Sequence, residues 1–195
     1  MFDHRMAQFE QLITIIHPGE FLATGDDIII STVLGSCVAV VLRDEKAGFG
    51  GLNHFMLPEN FDRGDHFVSR SAKYGMYAME LLINDLLKAG CRRDRLTAKV
   101  FGGGSLLGKG PDRMNKVPRS NIEFAFDYLK TERIPVASSD VGGTAARKIL
   151  FFVRSGKVLL KRITGTFIVA VEREESDYLS RIRERESREG EIVLF

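Results

Sequence analysis

The sequence predicts an α+β domain, on three observations: short apolar runs crowd its first third, two stretches of helical periodicity occupy its middle, and a hairpin signal follows late in the chain. Its 195 residues contain no internal repeat and no long Pro/Gly/Ser linker, so a single domain over residues 1–195 is expected. Hydrophobic residues make up 44% and charged residues 28%, which leaves enough apolar side chains for a sizeable core.

The elements follow in order. Leu12 to Ile16 is a short apolar run halted by Pro18-Gly19, and Ile28, Ile29 and Ile30 are β-branched residues suited to a buried strand. After the tight Leu34-Gly35-Ser36 segment, Cys37 to Leu42 is strand-like again, and Phe49 to Leu57 follows a turn containing Asp44 and Gly48. These runs are dense rather than alternating, as in strands buried on both faces. From Ser69 to Ala89, the residues Ala72, Met76, Met79, Ile83 and Leu86 recur at helical spacing, and Gly90 supplies a stop. Leu96 to Phe101 reads as a strand leading into the loop Gly102-Gly103-Gly104-Ser105. A second helix is expected to start at Ser120, where Ser120 and Glu123 form a capping-box pattern. Ile149 to Arg154 and Lys157 to Ile163 flank Ser155-Gly156, a two-residue hairpin signal. Thr166 to Val171 reads as one more strand, Glu174 to Arg188 as a highly charged helix with a solvated face, and Ile192 to Phe195 as an apolar tail.

Charge and composition exclude several function classes. The formal net charge is +2, and the densest basic stretch, Arg181 to Arg188, alternates with glutamates, so no nucleic-acid partner is expected. No apolar run is long enough to span a bilayer, and Met1 to Arg5 lacks the layout of a signal peptide, so a cytoplasmic protein without membrane insertion is expected. In that compartment Cys37 and Cys91 stay reduced thiols. Four histidines and two cysteines lie scattered, without CxxC or HxxxH spacing, so no metal is expected.

Cys37 is the candidate nucleophile. Gly35 and Ser36 permit a sharp turn that puts the sulfur at the end of an element, and the backbone N–H groups near Ser36 and Cys37 can face a developing oxyanion. By itself, a free cysteine heading an apolar strand is more often a small buried hydrophobe. His54 changes the balance: a cysteine-headed strand, a turn and a histidine-bearing strand bring an imidazole beside a thiol when the two strands pair antiparallel. Ser31 and Thr32 are hydroxyl residues close by in sequence that could orient His54, whereas Asn53 should point to the opposite face. His4 and His17 read as solvated, and His66 lies in a polar loop. The glycines Gly102, Gly103 and Gly104, with Gly142 and Gly143 in Asp140-Val141-Gly142-Gly143-Thr144, are turns at the least, and at most a side-chain-poor rim admitting a protein substrate. Gly108-Lys109-Gly110 lacks the spacing of a phosphate loop, and Cys91 reads as structural.

The runs Leu34-Gly35-Ser36-Cys37-Val38-Ala39-Val40 and Gly51-Leu52-Asn53-His54-Phe55-Met56-Leu57-Pro58 resemble the signature of the CheD family of chemoreceptor glutamine deamidases. Lys99 to Gly104, Asn121 to Leu129, Asp140-Val141-Gly142-Gly143 with Arg147, and the tail Glu191 to Phe195 resemble further family segments, in the same order from about Glu20 to the end. The resemblance implies a three-layer α/β/β fold akin to the catalytic domain of the cytotoxic necrotizing factor toxins. It also implies a cysteine-dependent protein-glutamine glutaminase active on chemotaxis receptors, with Cys37 and His54 in the catalytic roles and no cofactor. The family's third catalytic residue is a threonine six positions before the cysteine; here that place holds Ser31, with Thr32 beside it, and the third role stays open between them. The partners implied are receptor cytoplasmic helices as substrate and a CheC-type phosphatase that binds the same surface. Two other readings compete: a non-catalytic receptor- or CheC-binding adaptor, and a thiol amidase acting on small molecules.

Overall fold

The structure, a computed structural model, describes residues 2–4, 9–57, 70–105, 116–163 and 167–189. Among these described residues ten strands and three α-helices follow one another: β1 (Phe2–His4), β2 (Ile13–Ile15), β3 (Phe21–Thr24), β4 (Ile29–Leu34), β5 (Val38–Asp44), β6 (Phe49–Phe55), α1 (Arg70–Lys88), β7 (Leu96–Gly102), α2 (Lys116–Thr131), β8 (Val136–Val141), β9 (Ala146–Phe152), β10 (Val158–Ile163) and α3 (Phe167–Glu189). The strands form two mixed sheets, ordered β1-β2-β4-β9-β10 and β3-β6-β5-β7-β8. The expected α+β class with two packed sheets and flanking helices is what the chain adopts.

The alternating side chains of β5 show how the layers stack. Val38, Val40 and Leu42 share a core with Met79, Leu82, Ile83 and Leu86 of α1 and Phe124 and Leu129 of α2. Ala39 and Val41, together with Cys37, share a second core with Ile30 and Leu34 of β4 and Ile149 and Phe151 of β9. A strand between a helical layer and another sheet has no solvent face, which is why its sequence is apolar without alternation. Gly75, inside α1, lets the two helices approach: a Cβ there would meet the Phe124 ring at 2.4 Å, so close packing outweighs the helix cost of glycine, about 1 kcal/mol.

Several boundaries differ from the sequence reading. The second helix begins at Lys116, so Ser120 and Glu123 lie inside it rather than capping it; Glu123 pairs with Arg119 one turn away. The hairpin between β9 and β10 is wider than two residues, because Phe152 and Lys157 are still hydrogen-bonded, at 2.9 Å. Residues 167–171, expected as a strand, form the first turns of α3. There the β-branched run is overruled by docking, since Val171 is buried on the inner face of the helix. Strands β1, β3 and β8 have no counterpart in the sequence reading; β3 is only four residues long and half-buried throughout, and β8 carries Ser138, Ser139 and Asp140 in its middle. His66, the Gly108-Lys109-Gly110 run and the apolar tail from Ile192 to Phe195 lie outside the described residues. Among those described, no helix is long and apolar enough to cross a membrane.

Candidate active site

The turn Gly35-Ser36-Cys37 links β4 in one sheet to β5 in the other, which places the cysteine where the chain crosses between layers. Its conformation is braced by the Gly102-Gly103-Gly104 segment, which the Gly142-Gly143 turn backs in its own right by hydrogen bonds to Gly102 and Ser105. Gly103 N–H donates to Cys37 O at 2.7 Å and Gly104 N–H to Gly35 O at 2.6 Å. Gly102 has φ +113°, and a Cβ there would meet Cys37 O at 2.1 Å, so only glycine lets the end of β7 come this close. Gly102, Gly103 and Gly104 are therefore buried braces rather than an open rim; Gly143 is exposed and Gly142 half-buried. Arg147, fully buried in β9, holds these segments together. Its Nη1 donates to the carbonyls of Gly102 and Asp140, its Nη2 to those of Gly142 and Ala145, and it pairs with the Asp140 carboxylate at 3.1 Å. Asn121 of α2 closes the frame, donating to Ser36 O at 2.9 Å and accepting from Leu57 N–H at 2.8 Å.

His54 comes from the neighbouring strand. It pairs with Ala39 across the β5–β6 ladder, so the imidazole lies on the face that Cys37 leads into. Asn53, one residue back, points the other way and accepts from Val40 N–H at 2.9 Å. Thr32 reaches His54 from the opposing sheet: its Oγ1 lies 2.7 Å from Nδ1 and donates to Ile16 O at 2.8 Å. A hydroxyl has one proton. With that proton on Ile16 O, Nδ1 carries the ring hydrogen and donates to Thr32, which leaves Nε2 as the unprotonated nitrogen. Nε2 is buried without a hydrogen-bond partner. Ser31 sits on the other face of β4, and its hydroxyl is buried and unpaired.

Sequence reasoning missed a third group. Glu175, expected on a solvated helix, projects from α3 into the cysteine turn. Its Oε1 accepts from Gly35 N–H and Cys37 N–H, each at 3.0 Å; its Oε2 accepts from Ser36 N–H at 3.0 Å and from the Ser36 hydroxyl at 2.6 Å. The signal was present in the spacing: Val171, Glu175, Tyr178 and Ile182 fall on one helical face, with a charge in the middle of an apolar stripe. His17, read as solvated, pairs with the adjacent Glu174. Ligand atoms of Cys37, His54 and Glu175 lie within 4.8 Å of one another, a grouping that could also hold a metal ion. Both carboxylate oxygens already accept two hydrogen bonds each, which uses the roughly four acceptor positions a carboxylate has.

The electrostatics describe a neutral pair. Burial, and then the nearby Glu175 carboxylate, push the Cys37 thiol well above its ordinary range. Burial, with the charge of His17 second, lowers the His54 imidazole to about 3. Cys37 is 0% exposed and His54 1%. Cys91 lies apart, in the core beneath the helices.

A family model described as "CheD chemotactic sensory transduction" matches residues 56–162. A protein of Herminiimonas arsenicoxydans is 46% identical over 187 residues, covering 96% of this chain and 91% of its own length. One of Laribacter hongkongensis is 43% identical over 194 residues, covering 100% of this chain and 91% of its own. Both bear the name "Probable chemoreceptor glutamine deamidase CheD". Among solved structures, the hypothetical protein YfiH of Bacillus licheniformis superposes with a TM-score of 0.41 at 11% identity, over 62% of this chain and 49% of that one.

Proposed function

The chain belongs to the CheD family, and from that premise we propose that it hydrolyses selected glutamine side chains on the cytoplasmic helices of chemotaxis receptors to glutamate, with Cys37 as nucleophile and His54 as base. The match to the family model begins after His54, so the residue roles rest on geometry. The observation that carries them is the convergence of a thiol, an imidazole and a cradle of N–H donors. Ligand atoms of Cys37 and His54 come within 4.8 Å, and His54 is held by Thr32 in the tautomer whose free nitrogen can accept the thiol proton.

Each step has a group to perform it. His54 Nε2 takes the Cys37 proton, and the thiolate attacks the amide carbon of the substrate glutamine. The N–H groups of Gly35 and Cys37 meet at one point, where the tetrahedral oxyanion sits. The imidazolium then protonates departing ammonia, and water activated by the same ring cleaves the thioester to release glutamate. No cofactor takes part. Each turnover leaves a new anion on a receptor helix, and like-charge repulsion there shifts the signalling balance.

The proposal places the protein in the cytoplasm, with a CheC-type phosphatase as a second partner on the same surface. The adaptor reading is favoured by one observation, the fully buried sulfur. Mass spectrometry of a receptor cytoplasmic fragment separates the two. Incubation with the protein should add about 1 Da at specific glutamines, the amide-to-acid difference. A Cys37→Ala variant with the same fold should add nothing. A fragment left unchanged by the intact protein and by its Glu175→Ala variant alike would make the adaptor the better reading.

A further inference from the structure

Glu175 is a glutamate side chain on an α-helix, and its carboxylate fills the cradle of N–H donors that the deamidase reading assigns to the substrate. We propose that α3 is a built-in occupant of the receptor-helix site, with Glu175 in the position of the product carboxylate, and that α3 must lift away before a receptor helix can dock. This rests on the deamidase reading above and names the surface on which that substrate binds.

Four donors converge on the Glu175 carboxylate: three successive backbone N–H groups and the Ser36 hydroxyl. An amide could not use all of them, since its NH₂ brings hydrogens rather than lone pairs. The cradle as it stands is matched to the acid and not to the amide. Two of the same donors, Gly35 N–H and Cys37 N–H, form the oxyanion position, so no substrate can use them while Glu175 is present. Burial of the sulfur opposes formation of the Cys37 thiolate, and the Glu175 charge adds to that. Withdrawal of α3 removes both obstacles and opens the sulfur.

The way α3 is held suits an exchangeable element. Among its described residues only Val171, Glu175 and Ile182 are buried. Tyr178 packs its ring on Gly19, and Glu174 pairs with His17 on the same loop. Beside this seam a cavity of about 540 Å³ remains open between α1 and α3, lined by Pro18, Phe21, Met56, Tyr77, Tyr178 and Ile182. The groove is thus wider than its present occupant. It fits an amphipathic helix that carries its reactive side chain in the middle of its apolar stripe, as α3 does.

The test uses the full chain. Glu175→Ala should raise the rate at which iodoacetamide alkylates Cys37 at neutral pH, and kcat/KM on a receptor fragment, by about tenfold or more, as expected when the competent population rises by that factor. Cys91 is the internal control for alkylation. Glu175→Gln puts a substrate side chain on the resident helix. Attack by Cys37 on its amide carbon releases ammonia, water cleaves the thioester, and the peptide carrying residue 175 gains about 1 Da. That conversion should be independent of protein concentration and absent when Cys37→Ala is added. Wild-type rates of alkylation and turnover in a folded Glu175→Ala variant, with the introduced side-chain amide persisting in Glu175→Gln, would overturn the proposal and leave the deamidase reading standing. A receptor fragment unmodified by the wild type and by Glu175→Ala alike would instead overturn the deamidase reading, and with it the identification of α3 as a product mimic.

Discussion

Ser31 and Thr32 are neighbours on β4 and point to opposite faces of one sheet, so at most one of them can reach an imidazole in the opposing layer. The hydrogen bond falls on Thr32. Thr32→Val should therefore lower kcat on a receptor fragment by about ten- to a hundredfold, part of the contribution usual for a positioned base. Ser31→Ala, which removes an unpaired buried hydroxyl, should leave kcat within about twofold and stability unchanged or slightly higher. Equal losses in the two variants would reverse the assignment. His54 carries a second prediction. Its pKa of about 3 in the folded chain lies below the unfolded value near 6.5, so between those limits the unfolded chain binds a proton that the native chain does not. Stability is then full above about pH 6.5 and falls as the pH drops toward 3, by up to about 1.4 kcal/mol per pH unit. Denaturant unfolding between pH 7 and 5 should show this slope in the wild type and a shallower one in His54→Gln.

Among the elements, the two glycine-rich segments matter through what they hold in place. Gly102 ends β7 in a left-handed conformation against the Cys37 carbonyl, so Gly102→Ala introduces both strain and a clash that only backbone movement can relieve. A loss of about 2–4 kcal/mol in unfolding free energy is expected, with kcat falling because the N–H cradle shifts. A variant of wild-type stability would mean that the turn tolerates displacement. Much of this level was legible in advance. The positions of β4, β5, β6, β7 and α1 follow from apolar runs and periodicity that reflect purely local burial. The start of α2 and the first turns of α3 were misread because a capping pattern and a β-branched run are weak local signals, and packing against the sheets outweighs them. The glycines were recognised as backbone sites, but nothing in their own neighbourhood says that Cys37 is the group Gly102 and Gly103 approach.

At the scale of the molecule, stability should be uneven. β5 is packed between two cores, whereas α3 is attached by a narrow buried stripe beside an open cavity. Amide hydrogen exchange should accordingly be slowest in β5 and β7 and clearly faster in α3, since sub-global opening follows buried contact. Equal protection in α3 and β5 would contradict an exchangeable helix. The hydrogen-bond partner of the cysteine turn's N–H groups thus comes from a separate element, the Glu175 carboxylate of α3.

The amino-acid sequence by itself determined the α+β class, the two-sided burial of β5, and the candidacy of Cys37 and His54, because each depends on residue type and on pairing between strands joined by a short turn. Only the tertiary structure decided that Thr32 rather than Ser31 is hydrogen-bonded to His54, that the Gly102 segment braces the cysteine turn, and that Glu175 occupies the cradle. The physical reason is distance along the chain. Thr32 and His54 lie 22 positions apart in different sheets, and Gly35 and Glu175 lie 140 apart, so periodicity and spacing have no access to contacts that exist only once the layers have packed.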